Sequence, residues 1–183
     1  MTPEPIPSDA AALAAGTPRP PRTGRSHPDR EELAPWRAFL HAHARITRRL
    51  DDELQAQHGL SLAEYDALLQ IATSPGRRLR MNLIAQRVLL SRSGVTRLID
   101  RLVAEGAVER VACSTDARGA EAVLTASGLD RMRAASRTHL AGVQRYFLDP
   151  LSPADREAIE RGLGRVQDAV GPSAECLPGT GEA

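Results

Sequence analysis

Residues 91–102 read SRSGVTRLIDRL, and the fold turns on how this stretch is read. Val95, Leu98, Ile99, Leu102 and the following Val103 recur at i, i+3, i+4, i+7 and i+8, one apolar stripe of a helix. The opposite arc carries Arg92, Ser93, Thr96, Arg97, Asp100 and Arg101. The stripe packs the helix onto a core. The arc is then either a solvated face or a surface held out to a partner. Ser91 suits the N-cap and Gly106 the stop.

The flanking segments are mostly helical. MNLIAQRVL (81–89) predicts a short helix with Leu83, Ile84 and Val88 inward, although Arg80 stands where a Ser or Thr cap is expected. SLAE (61–64) is a capping box: Ser61 accepts from the start of the helix and Glu64 reaches back. That helix runs to about Thr73 and stops at SPG. An earlier one, from Pro35 to Gln57, aligns Trp36, Phe39, Leu40, Ile46, Leu50 and Leu54 and ends at His58-Gly59.

After Gly106 the period changes. AVERVA (107–112) and AEAVLT (120–125) predict two short strands joined by the turn-rich CSTDARG (113–119). Helicity returns from Thr125, with Leu129, Met132, Ser136, Leu140, Val143 and Phe147 in a near-heptad stripe broken at Asp149-Pro150. Ser152-Pro153 opens a last helix whose seam is Ile159, Leu163, Val166 and Val170.

The ends differ in kind. Residues 1–30 hold seven prolines and include GTPRPPRTGR, which sustains neither helix nor strand, so a disordered arm is expected there. A similar tail is expected over 171–183, leaving 31–170 as the structured part. Hydrophobic residues make up 42% of the chain and support a core, but aromatics make up only 3%, and no alternating Tyr- or Trp-rich segment suggests a β-sandwich. Cys113 and Cys176 show no metal or disulfide spacing and fit reduced thiols. No secretory leader and no run of about 18 apolar residues is evident, so a cytoplasmic protein without a membrane partner is expected.

Three helices followed by a hairpin is the layout of a winged helix-turn-helix, whose second helix of the pair enters the major groove with its N-terminal residues at base edges. Arg92, Ser93, Thr96 and Arg97 occupy the first two turns of the arc, and the Ser91 start offers N–H groups to a phosphate. Asp100 and Arg101, later on the arc, suit a structural role better, though Arg101 stays among the candidates for DNA together with Arg80 and Ser91. The charge distribution agrees. Between Arg77 and Arg118 lie nine arginines and four acids, a balance of +5 in a chain of net charge +1, so the remainder carries −4. All 24 basic residues are arginine, including those in the arm, which a G+C-rich genome explains without appeal to function.

SRSGVTRLIDRLVAEGAVERVACSTDARGAEAVLTASG (91–128) resembles the recognition helix and wing of the MarR family of bacterial transcriptional regulators. A Ser-rich start, Thr-Arg-Leu-Asp-Leu spacing, a glycine, Asp-x-Arg-Gly and a strand ending in Leu-Thr-x-x-Gly occur in order, and the wing motif is the most specific part. The resemblance covers about 31–170. It implies a mainly α fold with a small β-hairpin wing, made of a winged helix-turn-helix over about 61–125 and dimerisation helices over about 31–58 and 126–170. It places Arg118 in the minor groove, with Asp116 holding its guanidinium. A plain turn with a surface ion pair is the alternative for those two. It also implies a homodimer on a pseudo-palindromic DNA operator, which the apolar seams of the first and last helices support independently.

Many members of the family are repressors released from DNA by an aromatic or phenolic ligand. Trp36, Phe39, His41, His43, Tyr65, Asp66 and Arg87 are the candidates to line such a pocket, and the aromatic ones serve equally well as core. No cofactor is expected. His41 and His43 lie two apart on different helix faces and make a poor metal pair. A redox-responsive regulator using Cys113 and a winged-helix protein-interaction module are the alternatives. An enzyme lacks support, because no phosphate loop, GxSxG or HExxH is found.

Overall fold

The computed structural model describes residues 27–88, 90–112 and 120–171. Most of the expected arm and tail, Asp116 and Arg118 (expected at the wing tip), and both cysteines lie outside the described residues. The chain divides into two compact units, 1–38 and 39–183. In the first, Asp29 Oδ1 accepts from the N–H groups of Glu31 and Glu32 at 2.9 Å each, and Glu32 returns a bond to the Asp29 N–H. This reciprocal cap starts the turn that leads into helix α1 (Ala34–His58).

The second unit contains the order foreseen, with one addition. Helix α2 (Leu62–Thr73) opens on the full Ser61–Glu64 capping box. A short 3₁₀ turn at Pro75–Arg77 leads to strand β1 (Arg78–Arg80), which the sequence reading missed. Helices α3 (Met81–Arg87) and α4 (Arg92–Ala104) follow, then strands β2 (Val108–Ala112) and β3 (Ala120–Leu124). The expected two-stranded hairpin is therefore a three-stranded antiparallel sheet in the order β1-β3-β2. Leu79 lies opposite Ala122 and Arg110 opposite Ala122 from the other side. Arg-Leu-Arg is too short to show alternation, and β1 is a strand because it covers the free edge of β3 and buries Leu79.

Leu68 and Ile71 of α2, Ile84 of α3, Val95, Ile99 and Leu102 of α4, and Val108 and Ala122 of the sheet form one core. Leu98 is partly buried against it. Val103, assigned to the inner stripe by spacing, is exposed instead, because the helix ends one residue later at the turn into β2. In that turn Gly106 adopts φ +70°, the Gly106 N–H donates to the Val103 carbonyl, and the Ala107 N–H donates to that of Leu102. This pair of bonds is a Schellman stop.

Thr125 caps α5 (Ala126–Val143), and its hydroxyl also donates to the Gly106 and Ala107 carbonyls at 2.8 and 3.1 Å. The helix continues as a π turn (Gln144–Leu148), where Tyr146 bonds Glu53 of α1, before the break at Asp149-Pro150. Helix α6 (Pro153–Val170) starts on a Ser152–Asp155 capping box. Leu140, Leu163, Val166 and Val170 are exposed in the single chain.

Candidate nucleic-acid interface

The α3–α4 pair is joined tightly. The Val88 N–H closes α3 on the Ile84 carbonyl, the Leu90 N–H reaches that of Ala85, and Ser91 then caps α4 by accepting from the Gly94 N–H at 3.1 Å. The buried stripe Val95-Ile99-Leu102 fixes which way α4 faces, so Ser91, Arg92, Ser93, Thr96, Arg97, Asp100 and Arg101 are all exposed. The Thr96 hydroxyl donates back to the Arg92 carbonyl, and the Ser91 and Ser93 hydroxyls lie 3.2 Å apart. Arg80 immediately precedes α3 and is also exposed. A depression of about 430 Å³ between α3 and the start of α4 is lined by Asn82, Ala85, Gln86, Leu90, Ser91 and Arg92.

The arginines of this region separate into two groups. Arg78 pairs with Glu121 at 3.6 Å, and Arg110 with Asp100 at 2.9 Å. Arg101 Nε lies 3.1 Å from the buried Glu64 and 3.3 Å from Glu105. Arg87 Nη1 donates to the Ser74 hydroxyl at 3.2 Å. Among the described residues, Arg92 and Arg97 have no side-chain partner. The two guanidinium groups on the first two turns of α4 are thus left to solvent while their neighbours are tied to the fold. Asp100 faces Arg110, so it does not oppose an approaching phosphate at full strength.

The residues considered for a ligand are not gathered in the depression. Tyr65 is core: its ring packs on His139 at 4.7 Å and its hydroxyl lies 3.4 Å from Ser136 Oγ. Phe39 is exposed, with its ring 6.0 Å from that of His43, and His41 is exposed as well. Trp36 is 56% exposed. Burial pushes the Asp66 carboxyl above its usual range, and His139 opposes the shift. Burial likewise pushes His139 down, opposed by Asp66, and the His139 Nδ1 is buried without a hydrogen-bond partner among the described residues. His139 escaped the sequence reading because it stands beside the Leu140 seam, where nothing local marks it as facing α2.

The family model for the MarR family matches residues 58–119. No curated protein matches the chain. Among solved structures, AbsC, a MarR family transcriptional regulator from Streptomyces coelicolor, is 32% identical, with 80% of this chain and 98% of AbsC covered and a TM-score of 0.72. Sco3205, a MarR family transcriptional regulator from the same organism solved in complex with DNA, is 31% identical over 83% and 98% of the two chains, with a TM-score of 0.74. With that identity over four-fifths of its length, a matching family model, and a three-helix, three-stranded module at its centre, this chain belongs to the MarR family of transcriptional regulators.

Proposed function

We propose that the chain is a homodimeric, sequence-specific DNA-binding repressor that acts in the cytoplasm and is released from its operator by a small aromatic effector. The observation that carries the DNA reading is the division of the arginines. Among the described residues Arg92 and Arg97 have no side-chain partner on the exposed N-terminal turns of α4, while the later Arg101 and Arg110 are held in ion pairs. A guanidinium left to solvent beside paired neighbours suits a bidentate contact to guanine or a phosphate. Ser91, Ser93, Thr96 and Arg80 then flank the groove, and Asp116 and Arg118 serve the wing. The DNA complex of Sco3205 supports the same use of this fold.

Leu140, Leu163, Val166 and Val170, apolar yet exposed in the single chain, support a partner copy packed on α5 and α6. The Tyr65, Asp66 and His139 group between α2 and α5 is the best-supported place for an effector to act.

Selection of bound fragments from random-sequence DNA tests the reading. The expected product is a two-fold symmetric site with half-sites about 10 bp apart, as two recognition helices require. A single unrepeated half-site would remove the dimer. No enriched motif at all would remove specific binding.

A further inference from the structure

An ion network joins α4 to the ends of three other helices. Glu64 is buried, and its Oε2 accepts from the Ser61 N–H at 2.7 Å and the Ser61 hydroxyl at 2.9 Å. Its Oε1 meets Arg101 Nε at 3.1 Å, and the same Nε lies 3.3 Å from Glu105 Oε1. Glu105 Oε2 takes Arg131 Nη1, and Arg131 Nη2 donates to the carbonyls of His58 and Gly59 at 3.2 and 3.0 Å. Those carbonyls close α1, where a cation complements the helix dipole. Both oxygens of each carboxylate are used, and the path runs from α2 through α4 and α5 to α1.

An exposed pair by itself stabilises little. Two features set this network apart. Glu64 is a buried carboxylate, and stripping it of its cation leaves a desolvated charge. The apolar stripe of α4 fixes which face is buried, but its contacts are non-directional and set the tilt and axial position of the helix less tightly. The planar Arg131 guanidinium does resist such motion, because its Nη1 and Nη2 bonds to Glu105 and to the His58 and Gly59 carbonyls have fixed directions, and the Arg101 Nε bond to Glu105 adds to it. Arg131 and, behind it, Arg101 also hold the Glu105 carboxyl below its usual range.

We propose that Arg101, Glu105 and Arg131 are positioning residues that fix the pitch of α4 against the α1–α2 corner and α5, so that Arg92 and Arg97 at its other end meet DNA in register. The proposal rests on the DNA-binding reading above. It makes Arg101 a strut between α4 and Glu64 and assigns Arg131, 30 residues along the chain, a part in sequence reading. It also links the helix bearing the exposed Leu140 to the helix that reads DNA.

The test uses the full chain with Glu105→Gln, Arg131→Gln and both together. Affinity is measured against the best fragment from the random-sequence selection and against unselected DNA, over a range of salt. Each single change is expected to weaken the selected fragment about tenfold, and the double change no more than the worse single, as for residues acting through one contact. Unselected DNA should be bound almost as well as by wild type, and the salt slope should not change. A slope reduced by about one would make Arg131 a phosphate contact and overturn the proposal, as would additive losses. Hydrogen exchange of the α4 amides without DNA should quicken in Glu105→Gln, and unchanged exchange also overturns it. If Arg131→Gln fails to fold, the exposed edge position of Glu105 still permits both readings from Glu105→Gln alone. Wild type that selects nothing sinks the DNA-binding reading and the proposal together. Wild type that selects a site while Glu105→Gln binds it equally sinks the proposal alone.

Discussion

Alanine at position 128 is expected to lower the melting temperature by about 5–10 °C, from a loss of about 2–3 kcal/mol. A Cβ on Gly128 would stand 2.8 Å from the carbonyl carbon of Ala107 and 3.0 Å from its Cα, with the carbonyl oxygen closer still. The obstacle is backbone, and it is backbone with no room to yield. Ala107 is locked by its own N–H bond to Leu102, and its carbonyl accepts from both the N–H and the hydroxyl of Thr125. Alanine in place of glycine would ordinarily favour a helix by about 1 kcal/mol, so the steric cost must exceed that gain. The joint between the end of α4 and the start of α5 would open, and with it the seat of β2. Thermal unfolding followed by circular dichroism checks this. A melting temperature equal to wild type would show that the corner is looser than its geometry states.

Arg92→Ala with Arg97→Ala is expected to produce the largest functional loss. Each well-placed bidentate contact to a base contributes about 1–3 kcal/mol of discrimination. Removing both should weaken the selected site by about a hundredfold or more, at 1.4 kcal/mol per tenfold. The fold should not suffer, because both side chains are exposed and neither has a partner among the described residues. Fluorescence anisotropy on the selected and unselected DNA separates the roles. A loss confined to the selected site assigns base contacts. Equal losses on both would assign the two arginines to phosphate and leave the sequence to be read elsewhere on the module.

Much of the architecture was legible because its determinants are local. Ser61 with Glu64 is a capping box within four residues and forms as read, and the Ser152-Pro153 start of the last helix forms as well. Val95, Ile99 and Leu102 declare the inner face of α4 by spacing alone. What escaped depends on residues far apart in the chain. β1 is a strand only because β3, some 40 residues later, offers it an edge. Gly128 reads as an ordinary helix glycine until Ala107 is seen against it. The candidate interface follows the same division. The polar arc could be listed from the sequence, but not its separation into paired and unpaired arginines. Arg101 shares that arc with Arg97, yet Glu64 lies 37 residues before it, and no local pattern links the two.

Sequence reading by the exposed face of α4, where Arg92 and Arg97 have no side-chain partner among the described residues, is tested most directly by the affinity for the selected fragment and for unselected DNA as salt is varied. Both should fall linearly in log affinity against log salt, with the selected fragment bound at least about 10³-fold more tightly at physiological salt. Equal affinity for the two, or binding indifferent to salt, would show that α4 does not read a DNA sequence.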